Sequence, residues 1–206
     1  MIKHNKTQDL LLYWTRLKGD RNAPARSDIE PRDIKVLLPN IFILHRVDRD
    51  HFVFRLTGTA LCHHYGREFK DHNFLGLWDE TDRNHMRLIL DGVLETRRPA
   101  IVHCRAQTLD ASRIDAELLL LPIANDQGVS DRLLGSAFAL SSTTFLAGRK
   151  LVRQKIIQAE SLQSSNDNDV VDGAFTRTAG GNVLRLISST VTPRNRNATP
   201  ESYPKD

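Results

Sequence analysis

From Thr7 to Lys18 apolar residues return every three or four positions: Leu10, Tyr13, Trp14 and Leu17 share one face, with Leu11 beside it. That period predicts an amphipathic helix with Thr7 as its N-cap and Gly19 as its stop. The polar connector GDRNAPARSD follows, and Pro24 argues against continuous helix there. Pro31 suits the first position of a second, shorter helix that carries Ile34, Leu37 and Leu38 and ends before Pro39.

The pattern then changes to a period of two. IFILHRV and HFVFRLT are runs of β-formers separated by Asp48-Arg49-Asp50, which reads as a hairpin. In the second run Phe52, Phe54 and Leu56 share one face. TALCHHYGREFKDHNFLGLWDE reads as short helical turns broken by Gly66 and Gly76. Thr81 opens a longer helix with Met86, Ile89, Leu90 and Val93 on its buried side. Three strands follow in AIVHCRAQTL, RIDAELLLLPIA and LLGSAFALS, with Ile114, Ala116, Leu118 and Leu120 alternating against Arg113, Asp115 and Glu117. Val102, Cys104 and Ala106 supply a matching inward face on the strand before. The expected fold class is α+β, a five-stranded antiparallel sheet with a helical layer, preceded by N-terminal helices. From about Ser161 the chain turns Ser/Asn/Asp/Pro-rich and is expected to be mostly disordered, with NVLRLISSTV as an apolar island. The expected division is a helical extension over 1–39, a domain over 40–145 and a C-terminal segment over 146–206.

The 206 residues allow one domain plus extensions. Lys and Arg number 29 against 25 Asp and Glu, a net charge of +4 that is too evenly mixed to announce nucleic acid. Arg194, Arg196 and Lys205 are scattered among acids and prolines, with Tyr203 the one aromatic near them, so a nucleic-acid arm is not favoured. Two cysteines give neither a disulfide framework nor a CxxC motif. No apolar run approaches the ~18 residues that span a bilayer, and the start carries no signal-peptide cleavage pattern. The expected location is the cytoplasm, with no membrane partner.

Several segments together resemble a known family. Tyr13-Trp14, Arg21-x-x-Pro24, Asp28-Ile29-x-Pro31, Leu38-Pro39, Arg55-Leu56-x-Gly58-Thr59 and Gly66-Arg67-Glu68 occur in one order over residues 8–142, with GLW, ELLLLPIA and LLGSAFAL after them. The chain resembles PAS-domain proteins, in particular small bacterial proteins with a single PAS domain behind an N-terminal helical extension. The resemblance implies a sensory or interaction module whose sheet and helices enclose a pocket, and which commonly dimerises through N-terminal helices and the outer face of the sheet. No phosphate-binding glycine loop of P-loop or kinase type occurs, so action through a regulatory protein partner is expected.

Candidate site residues follow from that reading. Phe54, Leu56, Leu61, Trp78, Met86, Leu90, Val102 and Phe138 are the expected lining of a ligand pocket. Leu10, Tyr13, Trp14 and Leu17 are expected at a homodimer interface, or packed on the chain's own sheet. Cys62, His63, His64 and His72 are donors of the kind that bind zinc or copper, although neighbours on a helix point about 100° apart. His85, followed by His64 and His72, is the candidate axial ligand were the protein a haem sensor. Cys62 in ALCHHYG does not match the Asn-Cys-Arg-Phe-like helix start of the light-sensing flavin subclass. Glu117, Asp115 and Arg113, with Arg55 on another strand, read as ion pairs on a covered sheet face in preference to an acid–base pair. The expectation is a non-enzymatic signalling protein that senses a small ligand or mediates protein–protein interaction. The cofactor is left open, with none favoured over haem; a haem or metal sensor is the alternative, and a small-molecule enzyme using residues 62–72 is not favoured.

Overall fold

A computed structural model describes residues 1–125, 127–162 and 174–175. Its first element is α1, Asn5–Lys18, which begins two residues before the expected N-cap because His4 caps it: Nδ1 of His4 accepts the Lys6 N–H at 3.2 Å. Gly19 ends it as expected, with φ +55° and its N–H on the Thr15 carbonyl at 3.2 Å. The Pro31–Ile34 and Leu38–Asn40 segments are short 3₁₀ turns in place of the expected second helix. Only seven residues separate Pro31 from Pro39, and a residue ahead of proline is pushed out of the α conformation, which leaves too little chain for an α-helix.

The remaining elements are β1 (Ile41–Arg46), β2 (Phe52–Thr57), α2 (Thr59–Tyr65), α3 (Glu80–Thr96), β3 (Ala100–Thr108), β4 (Arg113–Ile123), β5 (Arg132–Ala139), β6 (Leu151–Ser161) and β7 (Ala174–Phe175). They form one antiparallel sheet in the order β2-β1-β5-β4-β3-β6-β7. The α+β architecture is the expected one, and the sheet is wider than the five strands expected. The added strand β6 lies in the segment expected as tail. Register shifts between His103 and Cys104 and between Gln107 and Thr108 break the β3–β6 ladder, so the period of two along LVRQKIIQAES is interrupted. The expectations for the rest of the tail, NVLRLISSTV included, lie outside the described residues.

Two apolar layers flank the sheet. On the inner face Phe42, Phe52, Phe54, Val102, Leu118 and Leu120 meet Phe69, Phe74, Trp78, Met86 and Leu90 from the turns after α2 and from α3. On the outer face Leu10, Tyr13 and Trp14 of α1 pack against Leu119, Leu121 and Leu134, and Trp14 Nε1 donates to the Pro122 carbonyl at 2.8 Å. Each of those three α1 side chains is at least 94% buried, and burying a side chain of that size contributes roughly 1.5–3 kcal/mol. The connector is tied down by Arg21–Asp28 at 2.8 Å, by the Arg26 N–H on the Ala124 carbonyl and by the Glu30 N–H on the Tyr13 hydroxyl.

Candidate functional site

At one end of the inner face the side chains become small. Inward positions of β5 run Leu133, Gly135, Ala137, Ala139, and Ala116 of β4 stands opposite Ala139. Ala106 of β3 faces Ile114 beside them. Large side chains fill this space at the other end of the sheet; here they are replaced by α2. That helix presents Leu61, His64 and Tyr65 at i, i+3 and i+4, one face of a short helix. Gly58 makes its approach possible: a Cβ there would lie 2.2 Å from the Leu38 carbonyl oxygen.

Between α2, β4, β5 and the start of β6 lies a cavity of about 60 Å³. Its wall is almost wholly apolar, with Phe42, Phe54, Phe74 and Leu77 toward the core and Leu146 and Leu151 toward the β5–β6 connection. Four polar residues interrupt it beside Tyr65: Asn40, His64, Thr143 and Gln154. Asn40 Nδ2 donates to the Ala137 carbonyl at 2.9 Å, and the Tyr65 hydroxyl donates to Gln154 Oε1 at 3.2 Å. Burial pushes the Tyr65 hydroxyl and the Cys104 thiol well above their ordinary ranges. Burial, with the neighbouring His63 and Lys150, lowers His64 from its ordinary value.

The expected pocket list is brought together only in part. Phe54, Leu61 and Phe138 border the cavity. The Phe138 ring, however, stacks on His4 at 4.6 Å in the cluster beneath α1, because its position on β5 alternates with the inward alanines. Trp78, Met86, Leu90 and Val102 are buried in solid core away from the cavity. Leu56 is 41% exposed on edge strand β2, since a register shift between Ile43 and Leu44 disturbs the pairing there. Tyr65 and Gln154 went unforeseen; the run of Gly135, Ala137 and Ala139 at inward positions is the signal that marks the space.

The polar cluster does not converge. Cys62 Sγ lies 3.6 Å from Glu68 Oε2, the His63 and His64 rings stand 6.0 Å apart at 86°, and His72 Nδ1 donates to the Lys70 carbonyl at 3.1 Å. Among the described residues no group of three or more His, Cys, Asp and Glu side chains is placed to hold a metal ion. His85 Nδ1 lies 3.8 Å from Asp82 Oδ1 and takes no part in the cavity wall. The cavity, at about 60 Å³, is small beside the ~300 Å³ at which pockets for drug-sized ligands begin. The expected interface residues Leu10, Tyr13 and Trp14 are buried within their own chain, with Leu17 packed partly against the same cluster. Asp115 pairs with Arg105 at 2.6 Å, an ion pair of the kind anticipated on this face; Glu117 meets the His103 ring at 2.9 Å, and Arg55 turns away to Asp71.

Residues 2–138 match the profile described as PAS domain, and the chain belongs to the PAS domain family, a class of signalling and sensor domains. Solved structures with a similar fold include a Rhodobacter sphaeroides LOV protein (15% identity, TM-score 0.42, covering 57% of this chain and 72% of that one). An RNA-binding Light-Oxygen-Voltage receptor matches with 14% identity and a TM-score of 0.44 over 57% of this chain and 35% of that one. The Vibrio cholera VqmA–ligand–DNA complex matches with 13% identity and a TM-score of 0.42 over 54% and 51%. A search of curated proteins returns no match. No helix among the described residues is long and apolar enough to cross a membrane.

Proposed function

We propose that this PAS protein is a non-enzymatic, cytoplasmic sensor that takes a small ligand in the cavity under α2 and passes the change to a regulatory protein partner. The observation that supports this is the cavity itself: interiors pack without voids of this size, and here small residues on three neighbouring strands keep one open. The ligand acts by binding one arrangement of α2 and β6 better than another. Lys150 Nζ donates to the His63 carbonyl at 2.9 Å, so the chain entering β6 already holds the end of α2. Native mass spectrometry of the purified full chain, set against its denatured mass, tests the reading. Mass lost on denaturation identifies an occupied site. A cavity-filling variant, Ala137→Leu, that leaves such bound mass unchanged would refute it.

Self-association belongs to the same proposal. With Leu10, Tyr13 and Trp14 buried, the surface α1 offers a second copy is its outer side, where Leu12 is 61% exposed. Light scattering on the full chain reads the state directly, and a monomer at high concentration overturns this part.

A further inference from the structure

Gln154 forms the polar end of the cavity. It is 5% exposed, and its Oε1 accepts both the Tyr65 hydroxyl at 3.2 Å and the Cys104 thiol at 3.5 Å. Nε2, with two protons to give, is the other terminus, and it has no hydrogen-bond partner among the described residues. Its side chain lines the open space of the cavity, where an acceptor on a bound molecule would meet it. The backbone around it is held: the Asp79 N–H donates to the Gln154 carbonyl at 3.2 Å, and the Ile156 N–H to Asp82 Oδ2 at 2.8 Å.

The rest of the wall sets the charge and polarity of what fits. Among the described residues no lysine, arginine or carboxylate lines the cavity. Tyr65 and His64 on the wall are both shifted toward their neutral forms, first by burial. An ion entering would lose its hydration with no counter-charge to meet it. An apolar skeleton, by contrast, matches Phe42, Phe54, Leu61 and Leu77.

We infer that the cavity takes a small, uncharged, largely apolar molecule with a single hydrogen-bond acceptor, a carbonyl or ether oxygen, to which Gln154 Nε2 donates. The inference rests on the reading of the cavity as the sensor's ligand site. Four probes separate the two: xenon, 2-butanone, its hydrocarbon counterpart 2-methyl-1-butene, and butyrate. They are titrated into the ¹⁵N-labelled full chain, wild type and Gln154→Met, and followed by ¹H–¹⁵N correlation spectra. Xenon is expected to shift amides around the cavity, 2-butanone to move the Gln154 side-chain amide downfield, and butyrate to leave the spectrum unchanged. The ratio of ketone to alkene affinity is expected to fall about tenfold in Gln154→Met. A ratio unaffected by the substitution, or saturable binding of butyrate, overturns the ligand class while xenon uptake leaves the ligand site standing. Absence of xenon uptake overturns the site itself and the class with it. Should Gln154→Met fail to fold, the wild-type side-chain amide decides, since only an acceptor-bearing probe moves it downfield.

Discussion

Glu117 and His103 stand opposite each other in the β3–β4 ladder, both buried, with Oε2 and Nε2 2.9 Å apart. The same carboxylate accepts the Lys3 N–H at 2.6 Å and the His4 N–H at 3.1 Å. One charged group on the outer face thus anchors the two residues that lead into α1, and its negative charge lies at the positive end of that helix. Breaking a buried pair of this kind costs about 3–5 kcal/mol. Glu117→Ala is expected to fall in that range in urea unfolding, and Glu117→Gln, which keeps an acceptor, to lose less. Equal losses would show that the charge has no role in holding α1.

Acid should loosen the same anchor. Burial pushes the Glu117 carboxyl up, but hydrogen bonds led by the Lys3 N–H outweigh it and hold the group below its ordinary value. A carboxyl whose pKa is lower folded than unfolded contributes stability that is fully present above about pH 4.3 and is lost as the pH falls through the folded value. Asp28, held down first by the Ala25 N–H, and Asp115, held down first by Arg105, act in the same direction. Unfolding free energy is therefore expected to decline below about pH 4.3, with a shallower decline in Glu117→Gln. Parallel curves for the two proteins would remove Glu117 from the account.

Two glycines should respond in opposite ways to the same substitution. At Gly58 a Cβ would meet the Leu38 and Pro39 carbonyl oxygens at 2.2 and 2.3 Å, and backbone atoms cannot swing aside. Gly58→Ala is expected to destabilise by about 2 kcal/mol or more and to displace α2 from the cavity. At Gly92, inside α3, a Cβ meets nothing within 4 Å, so Gly92→Ala should stabilise by up to about 1 kcal/mol. Thermal melts of the two variants check both signs.

The contrast between these glycines shows what a sequence pattern can and cannot carry. The face of α1, the β1–β2 hairpin, α3 and the inward alternation on β3 and β4 are all local periods, and each is readable from the chain alone. The placement of Leu56 and the existence of β6 depend on register shifts, which interrupt the period in the very segments where it would be read. Phe138 illustrates a different limit. Its apolar character fits a pocket, but parity along β5 assigns its ring to the outer face with His4 and leaves the small Ala137 and Ala139 inward. A cavity is made by what is missing, so of the eight residues expected around it only Phe54, Leu61 and Phe138 border it. Gln154 was unforeseeable for a third reason: its partners Tyr65 and Cys104 are 89 and 50 positions away in the chain.

Trp14 offers a direct test of whether α1 serves its own sheet or a second copy. Its indole is 3% exposed, packed in the outer-face cluster with Leu119 and Leu121, and donates to the Pro122 carbonyl at 2.8 Å. If that contact is intrachain in solution, Trp14→Ala removes core and should cost about 3–5 kcal/mol, whereas Trp14→Phe, which keeps most of the volume and loses the hydrogen bond, should cost less. Leu12→Glu on the exposed side of the same helix should stay within about 0.5 kcal/mol of wild type in stability while shifting any dimer toward monomer. Thermal unfolding read beside light scattering separates the outcomes. A Trp14→Ala chain that melts like wild type but no longer associates would mean that α1 leaves its own sheet to pair with a partner's, and the outer-face cluster would then belong to the dimer.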